Sequence, residues 1–304
     1  MKINFLFPFL RQPSGMAGTI GILIFLLIAV FCYQLAPDPT NNANLQFTAH
    51  RKAEPGITAT YTIPDSCAGD WWNGIQHCSV SEMPHGTPVA GKIHTITFWL
   101  GTDSLGRDWL SRILVGSRIS LGIGFFAVIL SLGMGIPAGL LAGWRGGWWE
   151  QGIMGLVAVL WTLPSLLLAT GIAFVLGKGF WSISIAIAVA CWSDIVRMTR
   201  NMTLRLKQAT WAEAAIALGF SENRILFRHI LPNVVSPLVV ITLSNFSTAI
   251  LIESGLSFLG LGVPPPAPSW GSCLREAYSG ILFQNGFWLL FPPAFCLVTV
   301  TSAI

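Results

Sequence analysis

The chain has 304 residues, 53% of them apolar and only 10% charged, with a formal charge of +4. Average soluble chains carry about 25% charged residues, so this composition excludes an ordinary soluble domain and points to a protein solvated by lipid. The modest positive excess is accounted for by loops on one side of a membrane, and it leaves no footprint of nucleic-acid binding.

Crossing a hydrocarbon core takes about 20 apolar residues. In chain order the candidates are Met16–Leu35, Ser120–Gly143, Ile153–Leu176, Phe180–Ile195, Val234–Ile252 and Phe287–Ile304. The first is too long for a signal-peptide core and lacks a convincing cleavage site, so it is read as a retained span. The chain stops at Ile304 while still apolar, so the sixth span is expected to be incomplete as it stands. Counting crossings puts Lys2, Arg11, Arg145, Arg197, Arg200, Arg205, Lys207, Arg224 and Arg228 on one side, with only Lys178 and Arg275 in the short loops opposite. Basic short loops mark the cytoplasmic side, so both termini are expected to face the cytoplasm. The expected fold is all-α, a polytopic membrane protein of about six transmembrane helices. Its parts are a cytoplasmic lead with the first span over 1–36, an extracytoplasmic loop over 37–100, and a core over 101–304.

Within the external loop Cys67 and Cys78 lie close together, and a disulfide between them suits an oxidising compartment. Cys273 is also external and leaves that pairing open, while Cys32, Cys191 and Cys296 lie in spans as small hydrophobes. His77, Cys78 and His85 have no zinc-site spacing, so no metal is expected.

Residues 101–121, Gly-Thr-Asp-Ser-Leu-Gly-Arg-Asp-Trp-Leu-Ser-Arg-Ile-Leu-Val-Gly-Ser-Arg-Ile-Ser-Leu, offer two i, i+4 acid–base pairs, Asp103/Arg107 and Asp108/Arg112. With Leu110, Ile113, Leu114 and Leu121 as an apolar stripe, they read as an amphipathic helix at the outer surface, Trp109 at the interface and the arginines snorkelling. The sharper alternative has Arg107, Arg112 and Arg118 lining the external mouth of a pathway. Further along, Gly135, Gly139 and Gly143 repeat at the small-xxx-small spacing of close helix approach. Asp194 is expected to pair locally with Arg197. Glu253 is the acid in an apolar run that either sits harmlessly at a span end or faces a solute route. Asn245, with Ser244, Ser247 and Thr248, wets one face of the fifth span or bonds a neighbouring helix.

The polar loop 210–232 carries the densest grammar. Thr210-Trp-Ala-Glu213 reads as a capping box, with Trp211, Ala214, Ala215 and Leu218 on one apolar face. Gly219 suits a left-handed corner, Ser221 caps a second helix with Arg224, Arg228 and His229 toward its negative end, and Pro232 is expected to stop it. The result is a rigid two-helix knob shaped to fit a partner.

This loop resembles the EAA loop in the permease subunits of bacterial ABC importers: Glu213, Ala214, Ala215, Gly219, Leu231 and Pro232 all fall on the pattern, with His229 a departure two positions before Leu231. Three more runs are similar to the dipeptide/oligopeptide/nickel branch, in its "C" type of subunit. They are Gly101-Thr-Asp-x-x-Gly-Arg-Asp108, Trp192 followed by Arg197 and Arg200, and Ser257-Phe-Leu-Gly-Leu-Gly, which ends in Pro-Ser-Trp-Gly271. The resemblance covers the chain from about Gly101 onward. It implies a bacterial inner-membrane permease whose cytoplasmic knob docks on an ATPase. It also implies a second homologous permease, two ABC ATPase subunits and an extracytoplasmic substrate-binding protein as partners, with membrane lipid around them and a peptide as cargo.

No phosphate-binding Gly-x-x-x-x-Gly-Lys-Ser/Thr loop occurs, so ATP and Mg²⁺ are expected on partner ATPase subunits and no cofactor on this chain. Hydrolase signatures are also lacking, and the chain is read as a transport subunit and not an enzyme. The alternatives are a permease for nickel, glutathione or another small solute, and, from a different class, a membrane-bound enzyme or signalling protein.

Overall fold

The structure, a computed structural model, describes residues 13–63, 69–70, 72–75, 81–82, 92–283 and 287–304. Cys67 and Cys78 lie outside the described residues. The described chain is mostly helical, in two compact units: residues up to Gly122 with Glu253–Ile304, and Ile123–Ile252.

The first unit begins with α1 (Pro13–Val30) and the short α2 (Cys32–Leu35). Gly18 lets α1 approach the last helix, α11 (Phe291–Ala303), so closely that a Cβ there would strike the Ala303 carbonyl oxygen. Between them in sequence, the external segment carries β1 (Ile57–Ile63), β2 (Gly69–Asp70), β3 (Gly74–Ile75), β4 (Ser81–Glu82) and β5 (Lys92–Phe98). The main sheet runs β4-β1-β5, antiparallel, with Ala59 opposite Ile96 and Ile57 opposite Phe98. Alternate residues Ala59, Tyr61, Ile96 and Phe98 close a small core with Leu45 and Phe47, as the two-residue period of a strand requires. This sheet is an addition to an otherwise helical protein.

Six predicted spans find these counterparts. Among the described residues, α3 (Trp109–Arg145), α6 (Phe180–Lys207) and the helical run Glu222–Phe258 are long and apolar enough to cross a membrane. The predicted Ile153–Leu176 span is instead two helices, α4 (Gly147–Thr162) and α5 (Ser165–Leu176), bent by 99°. Pro164 explains the break, because it forces its predecessor out of the helical region and Leu163 has ψ 134°. The shorter apolar helices Gly18–Val30 and Phe287–Ala303 occupy the first and sixth predicted positions.

In the second unit the glycine repeat behaves as its spacing predicts. A Cβ on Gly135, Gly139 or Gly143 would lie 2.7, 2.5 and 2.7 Å from Ile195, Thr199 and Thr203 of α6. The seam brings two backbones together where larger residues would hold them apart. Lys207 reaches across to donate to the Trp144 carbonyl at 2.6 Å, placing a cation at the negative end of α3.

Candidate functional site

The Thr210–Pro232 segment folds as α7 (Thr210–Ala217), a corner, α8 (Glu222–Ile225), a π turn (Leu226–Ile230) and the start of α9 (Leu231–Phe258). Gly219 has φ +77°, and the corner closes by Gly219 N donating to Ile216 O at 2.9 Å and Phe220 N to Ala215 O at 3.1 Å. These two bonds are the Schellman closure, which needs a left-handed residue. The capping box is not made. Ala209 is the N-cap, its carbonyl receiving Ala212 N and Glu213 N, so Thr210 and Glu213 sit one place too far along the helix. Ser221 occupies its cap position with extended backbone but makes no side-chain bond.

Pro232 does not stop the helix; the run continues to Phe258. Proline lacks an N–H and its ring crowds the carbonyl four residues back. Here the preceding turn is widened to π geometry, with Leu231 N bonded to Leu226 O, and the proline falls where the missing donor does little harm.

Of the apolar face read from the sequence, the fold covers only Ala215. Ala212, Ala215, Ile225 and Ile230 are the buried residues. Ala215, Ile225 and Ile230 join Leu140, Trp144 and Ile195 in the core of the second unit. Trp211, Ala214 and Leu218 are exposed, Leu218 at 74%. Glu213, Gly219, Arg224, Arg228 and Pro232 are exposed as well, and Leu231 is half-buried. Arg224 lies over the Phe220 ring at 4.7 Å. The residues that anchor the knob are thus distinct from those it displays. Glu150, which sequence reasoning missed, pairs with Arg200 on the α6 segment leading to the knob, Arg200 Nε donating at 2.9 Å.

In the first unit the 101–112 run is not a surface helix. Gly101 and Gly106 have φ +79° and +78°, and a Cβ on either would strike the carbonyl of Ala53 or Phe47. Thr102 Oγ1 accepts Ala53 N and donates to His50 O. Asp103 accepts Leu105 N and Arg107 N on one oxygen and Arg107 Nε, at 2.6 Å, on the other. Arg107 and Arg112 then converge on Glu276 of α10 (Trp270–Phe283) at 3.1 and 3.0 Å. Two acids and two bases thus neutralise each other, with Asp103, Arg107 and Arg112 all buried, so neither guanidinium snorkels or opens to an external mouth.

The expected Asp108–Arg112 pair is replaced by a helix cap. Asp108 Oδ2 accepts the amide of Ser111, three residues into α3, at 2.9 Å, and also the Ser111 hydroxyl. Burial pushes the Asp108 carboxyl up to about 6, the Ser111 donors pulling against it. Trp109 is fully buried, its indole N–H on Leu289 O at 3.0 Å, and lies at no membrane interface. Arg118 stacks on Trp72 at 3.8 Å and donates to its carbonyl.

Glu253 faces neither open solvent nor a route. It is fully buried and receives the hydroxyls of Ser257 at 2.7 Å and Ser254 at 3.4 Å, with Ser120 and Ser269 also bonded to it. Ser120 Oγ in turn accepts Trp270 N at 3.1 Å, so the acid ties α3, α9 and α10 together. Asn245, also buried, donates to Cys191 O at 3.4 Å and lines an open cavity of the second unit together with Asp194 and Arg197.

The binding-protein-dependent transport system inner membrane component family matches residues 135–304, more than half of the chain. The chain belongs to that family. Among its relatives, the glutathione transport system permease protein GsiD of Pectobacterium atrosepticum is 42% identical over 204 residues, 67% of each chain. The GsiD protein of Escherichia coli O6:K15:H31 is 46% identical over 208 residues, 68% of each. A solved structure of the MetNI methionine ABC transporter, inward facing, superposes with a TM-score of 0.51 at 16% identity, covering 61% of this chain and 88% of that one. At that identity the likeness speaks for the fold alone. Membership makes this chain a membrane-embedded transport permease of the ABC importer class, in the dipeptide/oligopeptide/nickel branch.

Proposed function

We propose that this chain imports di- or oligopeptides delivered by an extracytoplasmic binding protein, driven by ATP hydrolysed on partner subunits that dock on the Thr210–Pro232 knob. The carrying observation is the separation of anchor from display. The Schellman corner and the π turn fix the knob onto the second unit through Ala215, Ile225 and Ile230, while Trp211, Leu218, Phe220 and Phe227 stay uncovered. Exposed apolar side chains rimmed by charge mark a protein contact surface, here with Glu213, Arg224 and Arg228 as the rim.

The assembly has a second, homologous permease and two ATPase subunits. ATP and Mg²⁺ are bound by those subunits, and this chain supplies no catalytic group. The knob and the N-terminus face the cytoplasm, a reading that the basic short loops support. Closure of the ATPases pushes on the knob, and the stiffness of its corner passes the displacement into α6 and α9. Glutathione, itself a small peptide, is a specific second reading of the cargo, favoured by the two relatives named for its transport.

The test is ATP-driven uptake by the purified assembly in proteoliposomes, with dipeptides and glutathione offered in parallel. Gly219→Asp and Glu213→Lys should leave the chain inserted in the membrane but lower ATPase co-purification and uptake. Full assembly and transport in both variants would count against docking.

A further inference from the structure

We infer that the open cavity between α6 and α9, apolar over most of its wall but carrying one acid and one base, is a resting site for a zwitterionic solute, with Asp194 holding its cationic end and Arg197 its anionic end. The inference rests on the peptide-import reading and deepens it by naming residues and a charge pattern.

The cavity, about 400 Å³, lies wholly within the second unit and is lined by Asp194, Arg197, Asn201, Ser244, Asn245 and Trp161, among others. Asp194 and Arg197 sit three residues apart on α6, a helix fit to cross a membrane, and the local ion pair expected between them is not formed. Arg197 lies over the Trp161 ring at 4.1 Å, and among the described residues Asp194 has no ion-pair partner. An acid in a membrane-crossing helix is costly unless it faces water, a partner or a ligand, and Asp194 is exposed to the cavity at the end of the Phe180–Ile195 stretch. Two opposite charges on one wall, each free of the other, make the cavity fit a solute that brings its own pair.

Dimensions agree. Side chains three apart on a helix are separated by about 5–6 Å at Cβ, and an extended dipeptide spans about 7 Å. The remaining wall combines the apolar Trp161, Met198 and Ile241 with the neutral polar Asn201, Ser244 and Asn245. Asn245 uses its amide N–H on Cys191 O, which leaves its carbonyl oxygen for a peptide N–H. Asn201 is held by Arg200 at 2.9 Å. A solute with one end blocked would leave one protein charge unmatched, so the site selects for both ends at once.

The experiment is uptake of alanyl-alanine, N-acetyl-alanyl-alanine and alanyl-alaninamide by the complete assembly in proteoliposomes. Removing one charge-assisted bond is worth about tenfold or more, so Asp194→Asn should slow alanyl-alanine about tenfold and leave the N-acetyl form at its wild-type rate. Arg197→Gln should slow alanyl-alanine likewise and spare the amide, with Arg197→Lys recovering part of the loss. A second measurement covers a variant that fails to assemble: alanyl-alanine should protect Ser244→Cys against a membrane-permeant thiol reagent. Equal slowing of all three peptides, no slowing of any, or labelling indifferent to the dipeptide would overturn the site. A wild-type assembly that imports none of the three would instead sink the peptide reading itself, and the site with it.

Discussion

Around Gly101–Arg112 the charges face one another and all but the half-buried Glu276 are buried, whereas in the Thr210–Pro232 knob they point outward beside uncovered apolar side chains. In the first region Asp103, Arg107 and Arg112 have each less than a twentieth of their surface exposed and share Glu276. In the second Glu213, Arg224 and Arg228 are all exposed and no ion pair joins them among the described residues. A self-neutralised cluster holds loops and a helix in place. Outward charge beside bare hydrophobes needs a second molecule to complete it. Similar residue types thus serve cohesion in one region and association in the other.

The contrast predicts unequal responses to single changes. The largest is in the buried cluster: Arg112→Ala leaves Asp103 buried with part of its compensation gone, a type of change that costs about 3–5 kcal/mol. Thermal unfolding of the purified complex in detergent should register it, while Arg118→Ala, which loses a cation–π contact of about 0.5–1 kcal/mol and a hydrogen bond to the Trp72 carbonyl but leaves no buried charge behind, should fall short. Comparable losses in the two would dissolve the distinction. Next comes the glycine seam. Gly139→Leu overpacks against Thr199 and Val196 and should cost about 1–3 kcal/mol. Gly155→Leu, with nothing within 4 Å of its Cβ, serves as the control.

Gly219→Ala should cost about 1–2 kcal/mol through its left-handed backbone. Because a Cβ there meets no neighbour, the loss should appear in ATPase co-purification more than in yield of inserted chain. The most gradual effect is one of pH. The Asp108 carboxyl, raised to about 6 by burial, keeps its proton where the unfolded chain, at about 3.9, has lost it. The native state binds more protons in that window, so stability should fall as pH rises from about 4 to 6, by less than about 1.4 kcal/mol per unit. Asp108→Asn should flatten the slope, and an unchanged slope would place the titrating group elsewhere.

Much of this was readable in the chain. The glycine corner follows from Gly219 after an apolar helix, the seam from small residues at a four-residue interval, and the helical class from composition. What escaped has physical causes. The Asp103–Arg107–Arg112–Glu276 cluster joins residues more than 160 positions apart, a pairing no local spacing announces. Helical periodicity grouped Trp211, Ala214, Ala215 and Leu218 on one face without saying which of them the fold covers, because a stripe made to bind a partner has the same pattern as one made to bind its own fold. The break at Pro164 and the alternation of Ile57-Thr-Ala-Thr-Tyr were local signals, outweighed by the length of the surrounding apolar and polar stretches. Pro232 read as a stop because a π turn preceding it is not visible in sequence.

The account turns on what covers the displayed face of the knob. A photo-crosslinking amino acid in place of Leu218, activated in intact membranes during ATP turnover, tests that most directly. The predicted result is a covalent adduct with an ATP-hydrolysing subunit, formed from the cytoplasmic side and lost in Gly219→Asp. An adduct with lipid or with an extracytoplasmic protein alone would contradict it.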